Sequence, residues 1–206
     1  MSYHWEALAQ HQALVPSDLT KKFSITAPPG CDIWRPSSER NVFDAPAIIT
    51  KIKASSFQSI EVTVSARWKT LYDQGGILLV FPGGLDIKPG DSRSWIKAGI
   101  ENEQGTAKLG VVGTHKFSDW SLSPTLDDSG KTTIKFVRKG TVLWVYTVHD
   151  GKDIGLREVT WAFLEGRGDD AEIWVGVYAA KPTPDSDNAD GKLVVNFEDL
   201  KLNTSS

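Results

Sequence analysis

Ser59-Ile60-Glu61-Val62-Thr63-Val64-Ser65-Ala66-Arg67-Trp68-Lys69 changes character at every residue. Ile60, Val62, Val64, Ala66 and Trp68 fall on one side of an extended chain. Ser59, Glu61, Thr63, Ser65, Arg67 and Lys69 fall on the other. Successive side chains of a strand point to opposite faces, so this run is a β-strand with one face toward a core. Its valines, isoleucine and threonine also favour a pleated, half-buried surface.

Strand patterns continue on both sides of this stretch. Upstream lie Phe23–Thr26, ending at Pro28-Pro29-Gly30, and Ala47–Ala54, with Ile48, Ile49 and Ile52. Downstream lies Gly76–Phe81, "GILLVF", an apolar run expected of a strand covered on both faces. Ser94–Glu101 and Ala107–Gly113 follow, then Asp119-Trp120-Ser121 before the loop "SPTLDDSG". Lys131–Arg138 and Thr141–His149 read as a hairpin turning at Lys139-Gly140. Gly155–Leu164, Ala171–Ala180 and Lys192–Leu202 complete the set. Tyr3–Val15 reads as a short helix, residues 31–45 as irregular, and Pro82–Ser92 and Lys181–Gly191 as loops, the latter polar. About ten to twelve strands with regular turn signals predict an all-β sandwich or barrel. We expect residues 1–206 to form one domain, with 1–45 as an N-terminal extension and first strand.

Composition narrows the function. The 206 residues are 40% hydrophobic and 24% charged, with a net charge of −3. No long basic run exists, so neither nucleic acid nor a membrane is an expected partner. One cysteine, Cys31, permits no internal disulfide. The N-terminus lacks a signal-peptide layout, and no apolar run approaches the ~20 residues of a membrane span. A reducing, cytoplasmic setting is the expectation. His4, His11, His115 and His149 are scattered and match no metal motif. No cofactor is implied.

Several strands carry a second face that is not simply polar. In Ser94–Glu101, Ile96, Ala98 and Ile100 make a core face, leaving Trp95, Lys97, Gly99 and Glu101 opposite. In Glu172–Tyr178, Ile173, Val175 and Val177 leave Glu172, Trp174, Gly176 and Tyr178. Thr141–His149 sets Trp144 and Tyr146 against Leu143 and Val145, and Arg157, Val159, Trp161 and Phe163 share one side of their strand. Such rows on neighbouring strands would form an aromatic, polar-dotted floor, the composition of a ligand pocket. They also fit a face covered by another segment, or a protein-binding face.

Five blocks add a resemblance. "LYDQGGILLVF" (Leu71–Phe81), "WIKAGIENEQG" (Trp95–Gly105), "SDWS" (Ser118–Ser121), "GLREV" (Gly155–Val159) and "VGVYAAKP" (Val175–Pro182) resemble domain of unknown function 1349, the "regulation of enolase" family. The resemblance spans about Phe57 to Leu202. It implies a concanavalin A-like jelly roll: a single-domain β-sandwich of two antiparallel sheets with a concave face. The family has no established reaction, and fold alone does not supply one. The resemblance puts Tyr72, Asp73 and Gln74 at the groove rim, Trp95, Lys97 and Glu101 on one face, Asp119 at an edge and Arg157 on a late strand. The same polar residues fit buried pairs, Lys97–Glu101 or Arg157–Asp119, since a buried charge needs a partner.

Three functional readings follow. The first is a ligand-binding or regulatory sandwich for a carbohydrate-like or other hydroxylated molecule. Trp95, Trp174 and Tyr178 would stack, while Tyr72, Asp73, Gln74, Lys97, Glu101, Asp119 and Arg157 would complete the groove. The second is an enzyme in the same groove, an isomerase, cyclase, glycoside hydrolase or lyase, with Glu101, Lys97 and His115 as the chemical groups. Glu101 and Glu103 could supply a carboxylate pair, but the superfamily's Glu-x-Asp-x-x-Glu pattern is absent. The third is a protein-interaction module, with enolase suggested by the family name alone.

Overall fold

The computed structural model describes residues 3–8, 15–83, 93–164, 167 and 171–205. Its strands are β1 (Trp5–Leu8), β2 (Phe23–Ala27), β3 (Ile33–Trp34), β4 (Val42–Phe43), β5 (Ala47–Lys53), β6 (Phe57–Ala66), β7 (Gln74–Phe81), β8 (Ser94–Glu103), β9 (Thr106–Thr114), β10 (Ser118–Pro124), β11 (Lys131–Lys139), β12 (Val142–His149), β13 (Lys152–Val159), β14 (Glu172–Ala180) and β15 (Leu193–Thr204). One sheet has the order β1-β5-β14-β7-β8-β9-β10, and a second β13-β12-β11-β6-β15-β2. Every pairing in both sheets is antiparallel. The crossovers make this a jelly-roll sandwich.

Alternation explains the packing. Ile77 and Leu79, Ile96, Ala98 and Ile100, and Val175 and Val177 lie in register across β7, β8 and β14. They face the second sheet, whose inner row includes Ile60, Val62, Val64, Phe136 and Val195, and all are buried. The contact is close at Gly75, where an added Cβ would reach the Val195 side chain at 2.7 Å.

The opposite face of the first sheet is only partly open. Residues 29–45, with the two-stranded β3–β4 ladder, fold over the β8 end of it. Arg35 anchors this segment: its amide donates to Ser118 Oγ at 2.9 Å, and its guanidinium donates to the Lys116 carbonyl at 2.7 Å and the Arg93 carbonyl at 2.8 Å. As a result β7 is buried along its whole length and β8 along all but its last residue.

Three local expectations are corrected. Trp5–Leu8, within the expected helix, is a strand, because pairing with β5 gives its backbone partners that an isolated short helix lacks. Residues 9–14 of that helix lie outside the described residues, as do 84–92 of the Pro82–Ser92 loop. The hairpin turns at Gly140-Thr141, one residue later than expected, since Lys139 still pairs with Val142. β8 continues to Glu103, and the turn falls at Gln104 and Gly105, both left-handed with φ of 50° and 76°. No helix among the described residues is long and apolar enough to cross a membrane.

Candidate functional site

The outer face of the first sheet carries a cavity of about 290 Å³ between β7–β10 and the covering segment. A row of glycines crosses the strands between Lys97 and Glu101. Gly99 on β8 stands opposite Gly76 on β7 and Gly110 on β9. A Cβ on Gly99 would lie 1.9 Å from the Gly75 carbonyl oxygen, and one on Gly76 2.0 Å from that of Ala98. The β7 and β8 backbones therefore approach too closely there for any side chain, whereas Gly110 lies under Glu101, whose Oε2 is 3.1 Å from where a Cβ would stand.

With no side chain at Gly99 or Gly76, Lys97 reaches along the sheet. Its register partner on β7 is Leu78, yet its ammonium donates to Gln74 Oε1 at 2.6 Å, and Gln74 stands opposite Glu101. Lys97 Nζ also lies 3.6 Å from Asp32 Oδ1 and 5.5 Å from the Tyr178 ring. Glu101 Oε2 accepts a hydrogen bond from the Trp120 indole at 3.1 Å. Burial pushes the Glu101 carboxyl up to about 7, against the opposing pull of Lys97 and of the Trp120 bond, with Asp32 and Glu103 adding to the rise. Glu101 can therefore donate or accept a proton near neutrality.

The walls are aromatic. Trp34 and Tyr72 meet Trp120 edge-on, with ring centroids 6.5 and 6.1 Å away. Tyr72 holds a left-handed φ of 66°, uncommon for a residue with a side chain. The turn imposes it: Tyr72 N donates to Asn102 O at 2.7 Å, and Asp73 Oδ2 accepts from the amides of Lys69 and Thr70 at 3.1 and 2.9 Å. Asp32, Arg40, Pro182 and Thr183 complete the rim.

The residues singled out in the sequence separate into several environments. Tyr72, Gln74, Lys97 and Glu101 line this cavity. Asp73 lies beneath it, 1% exposed, bonded to Lys181 at 3.0 Å. Burial works against charge on Lys181, but its bonds to Asp185 and Asp73 outweigh that and hold its pKa above the ordinary lysine value. Tyr178 is buried behind Gln74, its hydroxyl donating to Gln74 Oε1 at 3.2 Å. Trp95 has no exposed surface; Phe43 packs on it at 5.2 Å and the Arg35 guanidinium at 4.6 Å. Trp174 sits away toward β5, its indole on Glu172 at 2.9 Å and Lys51 5.5 Å from its ring. The expectation that Trp95, Trp174 and Tyr178 line one open hollow with Lys97 and Glu101 is thus corrected.

His115, Asp119 and Arg157 lie on the other face of the β9–β10 edge, around a separate hollow of about 280 Å³ beside Trp161. Arg157 donates to Ser121 Oγ at 2.6 Å and sits 3.8 Å from the Asp119 carboxylate, the structural pair the sequence suggested. Burial and the charge of Arg167 hold His115 below the usual histidine range. Cys31 is buried, and that burial pushes its thiol up to about 11, which leaves it protonated. Among the described residues no group of three or more His, Cys, Asp or Glu side chains is placed to hold a metal.

The family described as "Protein of unknown function (DUF1349)" matches residues 12–205. The chain belongs to the DUF1349 family. An uncharacterized protein of Emericella nidulans is 40% identical over 191 residues, covering 90% of this chain and 89% of the relative. Regulation of enolase protein 1 of Saccharomyces cerevisiae is 33% identical over 92 residues, 45% of this chain and 41% of the relative. Among solved structures, a functionally unknown protein from Saccharomyces cerevisiae superposes with a TM-score of 0.71 at 22% identity, over 99% of this chain and 97% of that one. A prokaryotic β-1,3-1,4-glucanase from a mouse hindgut metagenome reaches 0.51 at 8% identity, over 98% and 93%. At these identities the likeness to solved structures concerns the fold alone.

Several cavity residues of this DUF1349 chain were missed in the sequence: Asp32, Trp34, Arg40, Val112, Trp120 and the Pro182-Thr183 pair. Cys31, Ile33 and Arg35 are buried while Asp32 and Trp34 are only partly so, an alternation that residue types do not reveal, because the aromatic Trp34 and the cationic Arg35 fall on the wrong sides of it. Trp120 and Asp119 are neighbours on opposite faces of β10, and alternation alone does not say which face meets the cavity. Register with Val112, rather than alternation within "SDWS", places Trp120 in the cavity.

Proposed function

We propose that this DUF1349 chain binds a small hydroxylated, carbohydrate-like molecule in the cavity on the outer face of its first sheet. One observation carries this reading: the ring walls of Trp34, Tyr72 and Trp120 enclose the hydrogen-bonding floor of Gln74, Lys97 and Glu101. Rings offer flat apolar faces to a sugar's C–H surface, and the floor offers donors and acceptors to its hydroxyls. The cavity, about 290 Å³, is at the lower end of ligand-site sizes, which favours one ring over a long polymer. The names of structural neighbours, a glucanase and an alginate lyase from Klebsiella pneumoniae, accord with a sugar ligand. A protein partner such as enolase is less favoured, because the exposed large apolar residues among those described, Val15, Leu71, Phe117, Leu126, Ile154, Leu164 and Val194, are spread over different elements and loops. A cytoplasmic setting fits the single buried thiol.

Calorimetric titration with separate monosaccharides, disaccharides, sugar acids and polyols tests the reading. At least one should bind, and Trp120→Ala should weaken it tenfold or more, a loss of about 1.4 kcal/mol. Absence of heat with every member at millimolar concentration, or unchanged affinity in Trp120→Ala, rejects it.

A further inference from the structure

Lys97 and Glu101 are 2% and 8% exposed, yet they do not satisfy each other. Among the described residues the ion-pair partner of Lys97 is Asp32, at 3.6 Å, and its one hydrogen bond goes to Gln74 Oε1 at 2.6 Å. An ammonium carries three donors, so donor capacity is left over in a buried place, where unused capacity is costly. Glu101 commits Oε2 to Trp120 at 3.1 Å, and its other oxygen takes no hydrogen bond from a described residue. Both side chains line the same cavity. Asp32 also lines the cavity, but its Oδ1 both accepts from the Ile33 amide at 2.7 Å and is the oxygen paired with Lys97. The cavity therefore holds the Glu101 carboxyl, with one oxygen unused, beside one under-used cation whose ion-pair partner is Asp32.

We propose that the cavity is an enolising site, in which Glu101 removes the proton α to the carbonyl of a small hydroxylated aldehyde or ketone and Lys97 holds the oxygen on which charge develops. This rests on the ligand reading above. The Cα–H bond breaks and its proton passes to the free oxygen of Glu101. The released electron pair forms a carbon–carbon double bond, and the carbonyl π pair moves onto oxygen, giving an enolate. The spare N–H groups of Lys97 meet that oxygen in a site already oriented for it. Return of the proton to the same carbon restores the compound. Return to the former carbonyl carbon, with the neighbouring hydroxyl proton passing to the enolate oxygen, isomerises it. No oxidant or co-reactant is needed. A base whose ionisation falls near 7 suits such a transfer in both directions. The charged and titratable groups around Glu101 are Lys97 and Glu103 on its own strand, Asp32 and Arg40 above it, Lys108 opposite on β9 and Tyr178 on β14.

Hydrogen–deuterium exchange tests this directly. The full chain is incubated in D2O with dihydroxyacetone, glyceraldehyde, erythrulose or fructose, and proton NMR follows loss of the α-hydrogen. We expect exchange above the buffer rate with at least one compound, rising with pH to a plateau above about 7 as Glu101 ionises. Glu101→Gln should lower it by about 10²–10⁴-fold while the chain still unfolds cooperatively. Lys97→Met should lower it as well and move the midpoint to higher pH, because Lys97 favours the Glu101 carboxylate. If the chain binds sugars in calorimetry but exchanges no α-hydrogen, the enolising role fails and the ligand reading stands. If it does neither, both fail. Undiminished exchange in folded Glu101→Gln also overturns the role.

Discussion

Trp95 and Glu101 belong to one face of one strand, and alternation makes them equivalent. The structure makes them opposites. At the Trp95 end, Phe43 and the Arg35 guanidinium close over the ring and leave it no surface. At the Glu101 end, the covering segment contributes Asp32 and Trp34 to a rim and leaves a cavity. The first end is packed shut and the second keeps a cavity. The boundary between them is where a loop remote in sequence lies down on the sheet.

The strongest challenge to this division is Trp95→Ala. It should cost about 3–5 kcal/mol in urea-induced unfolding, while ligand affinity of the folded protein changes less than tenfold. Near-wild-type stability with abolished binding would mean the two ends are one site. Asp73→Ala comes next, at about 3 kcal/mol, because it leaves the buried Lys181 ammonium short of a partner. Its effect on binding should come through Tyr72, whose turn Asp73 holds.

A pH experiment refines the Glu101 end. Its folded pKa, about 7, lies above the ordinary carboxyl value of 4.5. Between those values the native state binds more protons than the unfolded one, so this group's contribution is fully present below the lower value and is lost as pH rises through the upper. Stability should fall by roughly 2 kcal/mol between pH 5 and pH 8 from this group. Glu101→Gln should flatten that part of the slope, since a neutral amide can still accept from Trp120. An unchanged slope would show that Glu101 is not the titrating group. The smallest effect belongs to Trp174→Ala, about 1 kcal/mol or less in thermal unfolding and no change in ligand affinity. Loss of affinity there would extend the site toward β5.

Much of the architecture was legible because alternation is a local property. Ser59–Lys69 declares its core face without help from the rest of the chain, and the all-apolar Gly76–Phe81 announces a strand covered twice. The candidate site was legible only in part. Lys97 and Glu101 stood out as charges on a face that also carried Trp95 and Gly99. Trp34 and Asp32 did not, since a two-residue strand in a Pro- and Ser-rich stretch leaves almost no periodic trace. Trp5–Leu8 was misread because edge pairing, a non-local event, overrode local pattern. His115 and Arg157 were grouped with the groove because a side chain's parity within its own strand says nothing about which neighbour that strand will have.

Local order therefore settled the strands, their inward faces and the sandwich, since a period of two and the burial of apolar side chains need only neighbouring residues to act. Which outward face became a pocket was settled in three dimensions. Strand register brings Gln74, Lys97 and Glu101 together around Gly76 and Gly99, and the Arg35 anchor draws residues 29–45 across that face. Both depend on contacts between segments far apart in the chain, and those exist only after the sheets have formed.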